Sequence, residues 1–383
     1  MPFIERDRSK YGLRGLGAAA VALACLLAAA PASGKPYVPP SAKPYVPPKG
    51  KAFHGVNDTS EVADYNAFAE QTGAHPAVLQ TFHSWGTFPS LAMQRWDITD
   101  TRGMISISTA KGYEEPEVIT PKAIANGEGD TYPLNLNSAI AQWNQPVYLR
   151  LLAEMNGEWN PYCAFNRDGS FRGPAHSPAQ FRQAWRRFAL IVRGGPVSEI
   201  NAQLNRLGMP PIQAAVPEIL PTPKVALMWV PHSSPTPNIY ANRPSVYWPG
   251  EKYVDWVGTD IFSTAPNWNN LNRIYEGYKH KPFVIGEYAP FGEDDASYVK
   301  TLFKWSRRHK RSKLLVYYQG FGRDPNFDIA GFPSARSVLR GRLSGPRYVP
   351  FAYGAVGNGP GGVTPTYAYG PSGSRTAGIT PPP

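Results

Sequence analysis

Two glutamates could carry acid–base chemistry, because each follows a short apolar run. Glu154 lies in RLLAEMNGEW and Glu287 in KPFVIGEYAPFG. A short apolar run bounded by turn residues is typical of a buried strand, and burying a carboxylate at its end costs free energy unless the group has a partner or a task. The two glutamates are therefore candidates for a catalytic pair. In the plainer alternative, each one caps the next helix or pairs with an arginine such as Arg150.

Eight short apolar or β-branched runs in the middle of the chain predict the strands that would position these glutamates. Stretches with helical spacing separate most of the runs, such as 178–193 and 296–309. This alternation, over a segment of barrel size, predicts one α/β catalytic domain with a (β/α)8 TIM barrel, although a doubly wound sheet would alternate in the same way. The predicted strands are 52–56, 77–82, 104–109, 147–153, 225–230, 254–260, 282–286 and 314–318.

The barrel hypothesis explains where the acidic residues fall. In such barrels the active site lies at the C-terminal ends of the strands. Glu154 follows the fourth predicted strand, Asp260 ends the sixth and Glu287 follows the seventh, so parallel strands would direct them into one mouth. Glycoside hydrolysis requires two facing carboxyl groups, one to protonate the leaving oxygen and one to attack the sugar carbon or to activate water. The sequence therefore predicts a glycoside hydrolase.

Further candidates for substrate binding lie at predicted strand ends and in loops beside the glutamates. Aromatic rings can stack on sugar rings, but they are also ordinary core material. A histidine at a strand end is more commonly a hydrogen-bonded core residue. The candidates are Asp260, Phe262, Trp159, Trp248, Asn156, His54 and Trp85.

The two ends of the chain differ in composition from its middle. Residues 1–32 combine basic residues, an apolar stretch and Ala-Pro-Ala, the order of a secretory signal peptide, and a lipid anchor on Cys25 is the alternative. Residues 33–50 contain KPYVPP twice and predict a proline-rich linker. Residues 344–383, rich in Gly, Pro, Ser and Thr, predict a disordered, flexible tail. The catalytic domain is accordingly assigned to 51–343.

The formal net charge of +11 at pH 7 bears on partners. The densest basic cluster, 307–313, lies near the start of the last predicted strand, at the barrel end opposite the mouth. For an exported monomer, we expect a solvated face or attraction to anionic cell-wall polymers rather than nucleic-acid binding. The seven histidines lack paired metal-ligand spacing and no glycine-rich phosphate loop is present, so we expect no metal and no cofactor. We expect no transmembrane segment after signal cleavage.

Three segments resemble glycoside hydrolase family 26. RLLAEMNGEW resembles the family's acid/base segment, KPFVIGEYAP its nucleophile strand, and VYWPGEKYVDWVGTDIF its sixth-strand signature. The resemblance implies a retaining mechanism in which Glu154 is the general acid/base, held protonated by a less polar setting, and Glu287 is the ionised nucleophile. It also implies that Asp260 organises the site near the nucleophile. The family is best known for cleaving β-1,4-mannans, and some members act on β-1,3-xylan or mixed-linkage β-glucan.

Two positions depart from the family pattern. Ala153 replaces the histidine before the acid/base, and Phe262 replaces a tyrosine that would hydrogen-bond the nucleophile. Loss of that donor should raise the nucleophile's pKa, since a hydrogen bond to the ionised form stabilises it. The sequence thus predicts a secreted retaining hydrolase of a β-linked polysaccharide, mannan-like or β-glucan. The alternatives are a wall-associated glycan-binding barrel without turnover and a different enzyme on the same barrel.

Overall fold

Eight parallel strands form a closed barrel in the computed structural model, which describes residues 44–112 and 115–352. Each strand pairs with the next along the chain, and the last pairs with the first. The (β/α)8 barrel is therefore confirmed, and every predicted strand overlaps an observed one. The barrel strands are β1 (Ala52–Asn57), β2 (Val78–Ser84), β3 (Arg102–Ser108), β4 (Val147–Leu151), β5 (Val225–Trp229), β6 (Trp256–Phe262), β7 (Phe283–Ala289) and β8 (Ser312–Tyr317).

Helices follow the strands and cover the outside of the barrel. The longest, α5, coincides with the predicted range 178–193, and its start is fixed by Pro178 and by the Ser177 side chain, which accepts a hydrogen bond from the backbone N–H of Gln180. No helix in the described ranges is long and apolar enough to span a membrane. The helices are α1 (Val62–Thr72), α2 (Ser90–Ile98), α3 (Pro121–Ala125), α4 (Thr131–Trp143), α5 (Pro178–Arg193), α6 (Val197–Arg206), α7 (Trp268–Gly277), α8 (Ala296–Arg308) and α9 (Pro333–Leu343).

Shorter elements occupy the loops between these helices and strands. Single turns of 3-10 helix cluster between β5 and β6, where the chain runs a long way before it re-enters the barrel. A two-residue antiparallel ladder joins Gly195–Pro196 to Ile219–Leu220, and Tyr348–Val349 pairs in parallel with the first two residues of β1, Ala52 and Phe53. The 3-10 turns are Pro174–His176, Tyr240–Asn242, Pro244–Tyr247, Glu251–Tyr253 and Ile329–Gly331.

Alternate residues of each strand belong to two different buried layers, as the twofold period of a strand requires. In β3, Met104 belongs to the cluster inside the barrel, whereas Ile105 packs with the helices outside it. The inner cluster is apolar over the lower part of the barrel. Towards the C-terminal strand ends, buried polar and charged groups replace it: Gln80, Ser106, Arg150 and Asp260. The fold thus concentrates polarity at the mouth.

The chain segments just before and just after the predicted domain 51–343 close the end of the barrel opposite the mouth, which we call the floor. The buried side chain of Arg102, the first residue of β3, donates from Nη1 to the carbonyl of Tyr45 (2.6 Å) and from Nη2 to the carbonyl of Ala352 (2.8 Å). Residues 344–352 of the predicted disordered tail and 44–50 of the predicted linker therefore join the folded unit. The predicted signal peptide, the rest of the linker and the tail beyond residue 352 lie outside the described residues.

Candidate active site

Glu154 is the third residue after β4 and lies in a turn with left-handed backbone. Its φ is 52°, and that of Leu152 is 43°. Such conformations cost a residue other than glycine about 1–3 kcal/mol and are concentrated at functional sites. Two backbone hydrogen bonds hold the turn, from the Glu154 N–H to the Val230 carbonyl (2.7 Å) and from the Gly157 N–H to the Glu154 carbonyl (2.8 Å). Because of this turn, β4 ends at Leu151, two residues before its predicted end.

The carboxyl group of Glu154 has two polar neighbours. Its Oε2 accepts a hydrogen bond from the indole Nε1–H of Trp159 (2.8 Å), and it is in hydrogen-bonding contact with the carboxyl group of Asp260. The Trp159 ring lies edge-on to His232, with 5.1 Å between ring centroids. Trp159 and Asp260, both predicted site residues, therefore touch the predicted acid/base directly.

Glu287 lies at an irregularity in β7. On the β6 side, Thr259 pairs with Ile285 and Ile261 pairs with Tyr288, so β7 holds one more residue than its partner between these pairs. An extra residue of this kind is a β-bulge, which turns nearby side chains away from strict alternation. The bulge brings the Glu287 side chain to the inside of the barrel, where the residue is 9% exposed.

Arg150 connects the acidic groups at the centre of the mouth. Its Nη1 forms an ion pair with Glu287 and its Nη2 an ion pair with Asp260, and the Arg150 side chain is only 2% exposed. Ser106 Oγ lies 3.3 Å from Nη1, and Gln80 donates from Nε2 to Glu287 Oε1 (3.2 Å). The arginine pairing considered as the plainer alternative for Glu287 is thus present, but it lies inside the barrel beside Glu154 rather than on the surface.

Burial sets the charge balance of this cluster. Desolvation raises the pKa of Glu287, with Arg150 opposing the rise and the charge of Glu154 adding to it. Desolvation also raises the pKa of Asp260 well above its usual range, by more than Arg150 lowers it, and the neighbouring Glu287 and Glu154 charges raise it further. Burial lowers the pKa of Arg150, but its acidic neighbours more than offset this effect, so the guanidinium stays charged.

Six aromatic residues, among them Phe262 at the end of β6, form a continuous cluster, which we call the aromatic wall. Phe262 meets Tyr318 and Phe327 edge-to-face, with ring centroids 5.9 and 5.8 Å apart. Phe321 is 55% and Phe291 40% exposed, so parts of the wall face solvent. Its residues are Phe82, Phe262, Phe291, Tyr318, Phe321 and Phe327. Only Phe262 was predicted, because most of the others come from loops whose course the sequence pattern does not reveal.

Asn156 and His54 are predicted site residues that bond within the protein instead. The Asn156 side chain donates to the carbonyl of His232 (2.9 Å) and accepts from its N–H (2.8 Å), so the amide holds the loop after β5. His54 packs on the helix side of β1, with Nε2 2.6 Å from the hydroxyl of Tyr288 and its ring stacked on Phe68. Burial lowers the pKa of His54 to about 3, so the ring is neutral. His54 is the bonded core histidine of the plainer alternative.

Two predicted tryptophans also pack into the core. Trp248 lies against Trp229, with ring centroids 5.0 Å apart. Trp85 lies against Tyr132 (5.0 Å) and Phe188 (5.7 Å), both on the helix layer. Both side chains stay partly exposed, and their ring contacts are not with Glu154 or Glu287. No group of three His, Cys, Asp or Glu residues in the described ranges is arranged to hold a metal ion.

Comparison with known proteins gives a distant sequence relative. No protein-family model matches the chain. A β-1,3-xylanase from a Vibrio species is 22% identical over 204 residues, which are 52% of this chain and 35% of that protein. The chain therefore spans only about a third of the length of this curated relative.

Solved structures give a broader likeness. A mannanase from Bacillus subtilis is 16% identical with a TM-score of 0.50, over 78% of this chain and 92% of that one. A modular endo-β-1,4-mannanase of glycoside hydrolase family 26 from Cellulomonas fimi is 14% identical with a TM-score of 0.51, over 84% of this chain and 78% of that one. At these identities the likeness concerns the fold. The chain thus has the barrel fold of family 26 β-mannanases, together with a distant sequence likeness to a β-1,3-xylanase, and the resemblance to glycoside hydrolase family 26 is confirmed.

Proposed function

We propose that this protein is a retaining glycoside hydrolase that cleaves a β-linked polysaccharide. The proposal rests on one contact network, which runs from Glu154 through Asp260 and Arg150 to Glu287. Double displacement needs two carboxyl groups that share one site, and the electrostatic interaction between Glu154 and Glu287 supports this role for the pair. The similar proteins named above, a β-1,3-xylanase and two mannanases, support a β-linked substrate of the xylan or mannan kind.

In the first step, a carboxylate oxygen of Glu287 attacks the anomeric carbon. The bond from that carbon to the leaving oxygen breaks, and Glu154 gives its proton to that oxygen. In the second step, Glu154 takes a proton from water, the water oxygen bonds to the anomeric carbon, and the ester to Glu287 breaks. Arg150 and Gln80 hold the Glu287 carboxylate in place for the attack.

The aromatic wall supports the sugar-binding part of the proposal. Aromatic faces bind the C–H faces of sugar rings, and the exposed edges of Phe291 and Phe321 adjoin Phe262 through other wall residues. Trp159 lies on the other side, bonded to Glu154. We assign subsite contacts to the wall and to Trp159 in place of Trp248, Trp85, His54 and Asn156.

Reducing-end release from mannan, xylan, β-glucan and bacterial wall polysaccharides tests this function. We expect Glu287→Ala to abolish release. We expect Glu154→Ala to be restored by azide on a substrate with an activated leaving group, because azide attacks without a general base. Glu158→Gln is the matched control, since Glu158 lies in the same loop but pairs with the exposed Arg167. Binding of a glycan without Glu287-dependent release would instead favour the non-catalytic alternative, and release that survives loss of both Glu154 and Glu287 would favour a different enzyme.

We further infer export and association with anionic cell-wall polymers. The inference rests on residues 1–32 and on the basic cluster 307–313, in which Arg307, Arg308 and Lys310 are exposed. Within the described residues, none of these three forms an ion pair with a carboxylate. The triple change to glutamate should weaken retention on an anionic wall polymer at low salt and leave hydrolysis of a neutral glycan unchanged. Equal retention of both proteins would refute the association.

A further inference from the structure

The cluster at the mouth holds more carboxyl groups than its one guanidinium can balance. Arg150 is in direct ionic contact with two carboxyl groups, Asp260 and Glu287, and Glu154 lies close enough to act on both. A buried charge without a counter-charge is costly, so one guanidinium can compensate one carboxylate well. Glu287 is the more exposed of the two bonded acids, at 9% against 0% for Asp260. The proton is therefore better retained on Asp260.

One oxygen of Asp260 points to the same conclusion. Oδ2 contacts Arg150, but Oδ1 is buried and receives no hydrogen bond from the described part of the chain. An ionised carboxylate with an unsatisfied buried oxygen pays a full desolvation penalty. A protonated carboxyl has an O–H to donate, and the carboxyl group of Glu154 is the acceptor beside it. Protonation turns the unsatisfied oxygen into a hydrogen-bond donor.

We propose that Asp260 is held un-ionised and donates a hydrogen bond to Glu154, which makes it a positioning residue for the general acid/base. Its charge state stands independently of the proposed function, and its role in catalysis rests on that function. When Glu154 gives its proton to the leaving oxygen, the resulting carboxylate already has two donors, the indole of Trp159 and the carboxyl O–H of Asp260. No proton leaves Asp260 at any step.

The groups that face Asp260 come from four sides. Arg150 and Glu154 approach from β4 and its following turn, and Glu287 from the bulge in β7. His232 bridges the backbone of Asp260 from the loop after β5. Tyr298, on α8, is buried near Asp260, and burial is the main reason that its pKa lies well above the usual range. Arg150 is the only one of these five that carries a permanent positive charge.

The first test is the pH dependence of stability in Asp260→Asn. An un-ionised Asp260 binds a proton in the folded protein that the unfolded chain releases above its ordinary pKa, so wild-type stability falls as pH rises from about 4. Asparagine has the same shape, can donate to Glu154 and accept from Arg150, and does not titrate. We therefore expect the midpoint temperature of Asp260→Asn to exceed that of the wild type at pH 7, with the difference vanishing towards pH 4. A variant that is less stable, by a margin that grows with pH, would overturn the proposal.

Asp130→Asn is the matched control. Asp130 is also buried and pairs through both oxygens with a buried arginine, Arg187, away from the mouth. Because asparagine would leave the buried Arg187 guanidinium without its carboxylate counter-charge, we expect Asp130→Asn to be less stable than the wild type at pH 7. Infrared difference spectra between wild type and Asp260→Asn give a second readout. An un-ionised carboxyl band at pH 7 that the variant lacks supports the proposal, and its absence from the wild type contradicts it.

The catalytic role has a separate readout. We expect Asp260→Ala, which leaves Glu154 without that donor, to move the alkaline limb of the kcat/KM profile up by about one unit, whereas Asp260→Asn, which keeps a donor at that position, should leave the limb in place. An alkaline limb that moves equally in both variants, or in neither, would refute the role. If no glycan were hydrolysed at all, the proposed function would fail, but the stability and infrared measurements would still decide the charge state.

Discussion

Replacing Arg150 with methionine tests whether the guanidinium keeps the proposed nucleophile ionised. Methionine fills a similar length of the barrel interior but carries no charge and donates no hydrogen bond. In the folded protein Arg150 contacts Glu287, Asp260 and Ser106. With Arg150 gone, Gln80 remains a donor to Glu287, and the carboxylate loses its counter-charge. We expect the pKa of Glu287, already raised by burial, to rise further.

The size of this rise follows from the charged hydrogen bond between Arg150 and Glu287, which the substitution removes. A hydrogen bond to a charged group contributes about 1.5–3 kcal/mol, and one pKa unit corresponds to about 1.4 kcal/mol. The acid limb of kcat/KM, which reports the free enzyme's ionised nucleophile, should therefore move to higher pH by roughly 1–2 units. At a pH below the new limb, activity should fall about tenfold to a hundredfold, and it should recover partly as pH rises. Initial rates of reducing-end release measured across pH give both quantities.

Arg187→Met controls for a general loss of stability. Arg187, on α5, is also buried and ion-paired, but its partners lie away from the mouth: Asp130, just before α4, and the carbonyls of Pro210 and Pro211. We expect it to lower the free energy of unfolding by about 3–5 kcal/mol, because an unpaired buried carboxylate remains, and to leave the limbs of the pH profile in place. An uncharged Arg150 variant whose rate falls equally at every pH, with the acid limb unmoved, would refute the reasoning.

Three further substitutions have defined outcomes. Trp159→Phe removes the indole donor from Glu154 while keeping an aromatic ring. We therefore expect kcat/KM to fall about tenfold and the alkaline limb of its pH profile to move up. An unchanged profile would show that the indole bond has no role. Phe262→Tyr introduces the hydroxyl that the family 26 pattern has at this position and should move the acid limb of the same profile down, because a donor to the ionised Glu287 stabilises it. An unmoved limb would contradict this. His54→Gln should make the protein lose less stability on acidification. The pKa of His54 in the folded protein is about 3, so below about pH 6.5 the unfolded wild type binds a proton that the folded protein does not. This difference lowers the folding equilibrium constant of the wild type by up to tenfold per pH unit. Thermal midpoints of both proteins measured between pH 7 and pH 4 test this, and a midpoint that falls more steeply in His54→Gln than in the wild type would contradict it.

The barrel could be predicted because its strands are buried on both sides. Strands of this kind appear as continuous apolar runs, and their order alternates with helices. The places of Glu154 and Glu287 near the ends of β4 and β7 could be predicted for the same reason, since each glutamate follows an apolar run, although the exact strand ends differ from the prediction. What the sequence could not supply is the direction of each side chain, because a shift by one residue moves it to the other face of the strand.

His54 and Glu287 are two examples of this limit. His54 falls on the helix side of β1, although it lies near a strand end as a site residue would. Glu287 reaches the inside of the barrel only because β7 carries a bulge, and no residue pattern in FVIGEYA predicts that bulge. Arg150 could have been recognised from the alternation of β4, yet its pairing depends on that bulge. The aromatic wall depends on loop geometry, which hydrophobic periodicity does not encode.

The floor of the barrel determines where other modules can be attached. Arg102 binds carbonyl groups from the segments that enter and leave the domain, at Tyr45 and Ala352. Anything joined ahead of the first segment or behind the second therefore starts from the pole remote from Glu154 and Glu287. A tether, a display anchor or a fused fluorescent protein joined directly ahead of residue 44 or behind residue 352 would start at the pole away from the proposed glycan site.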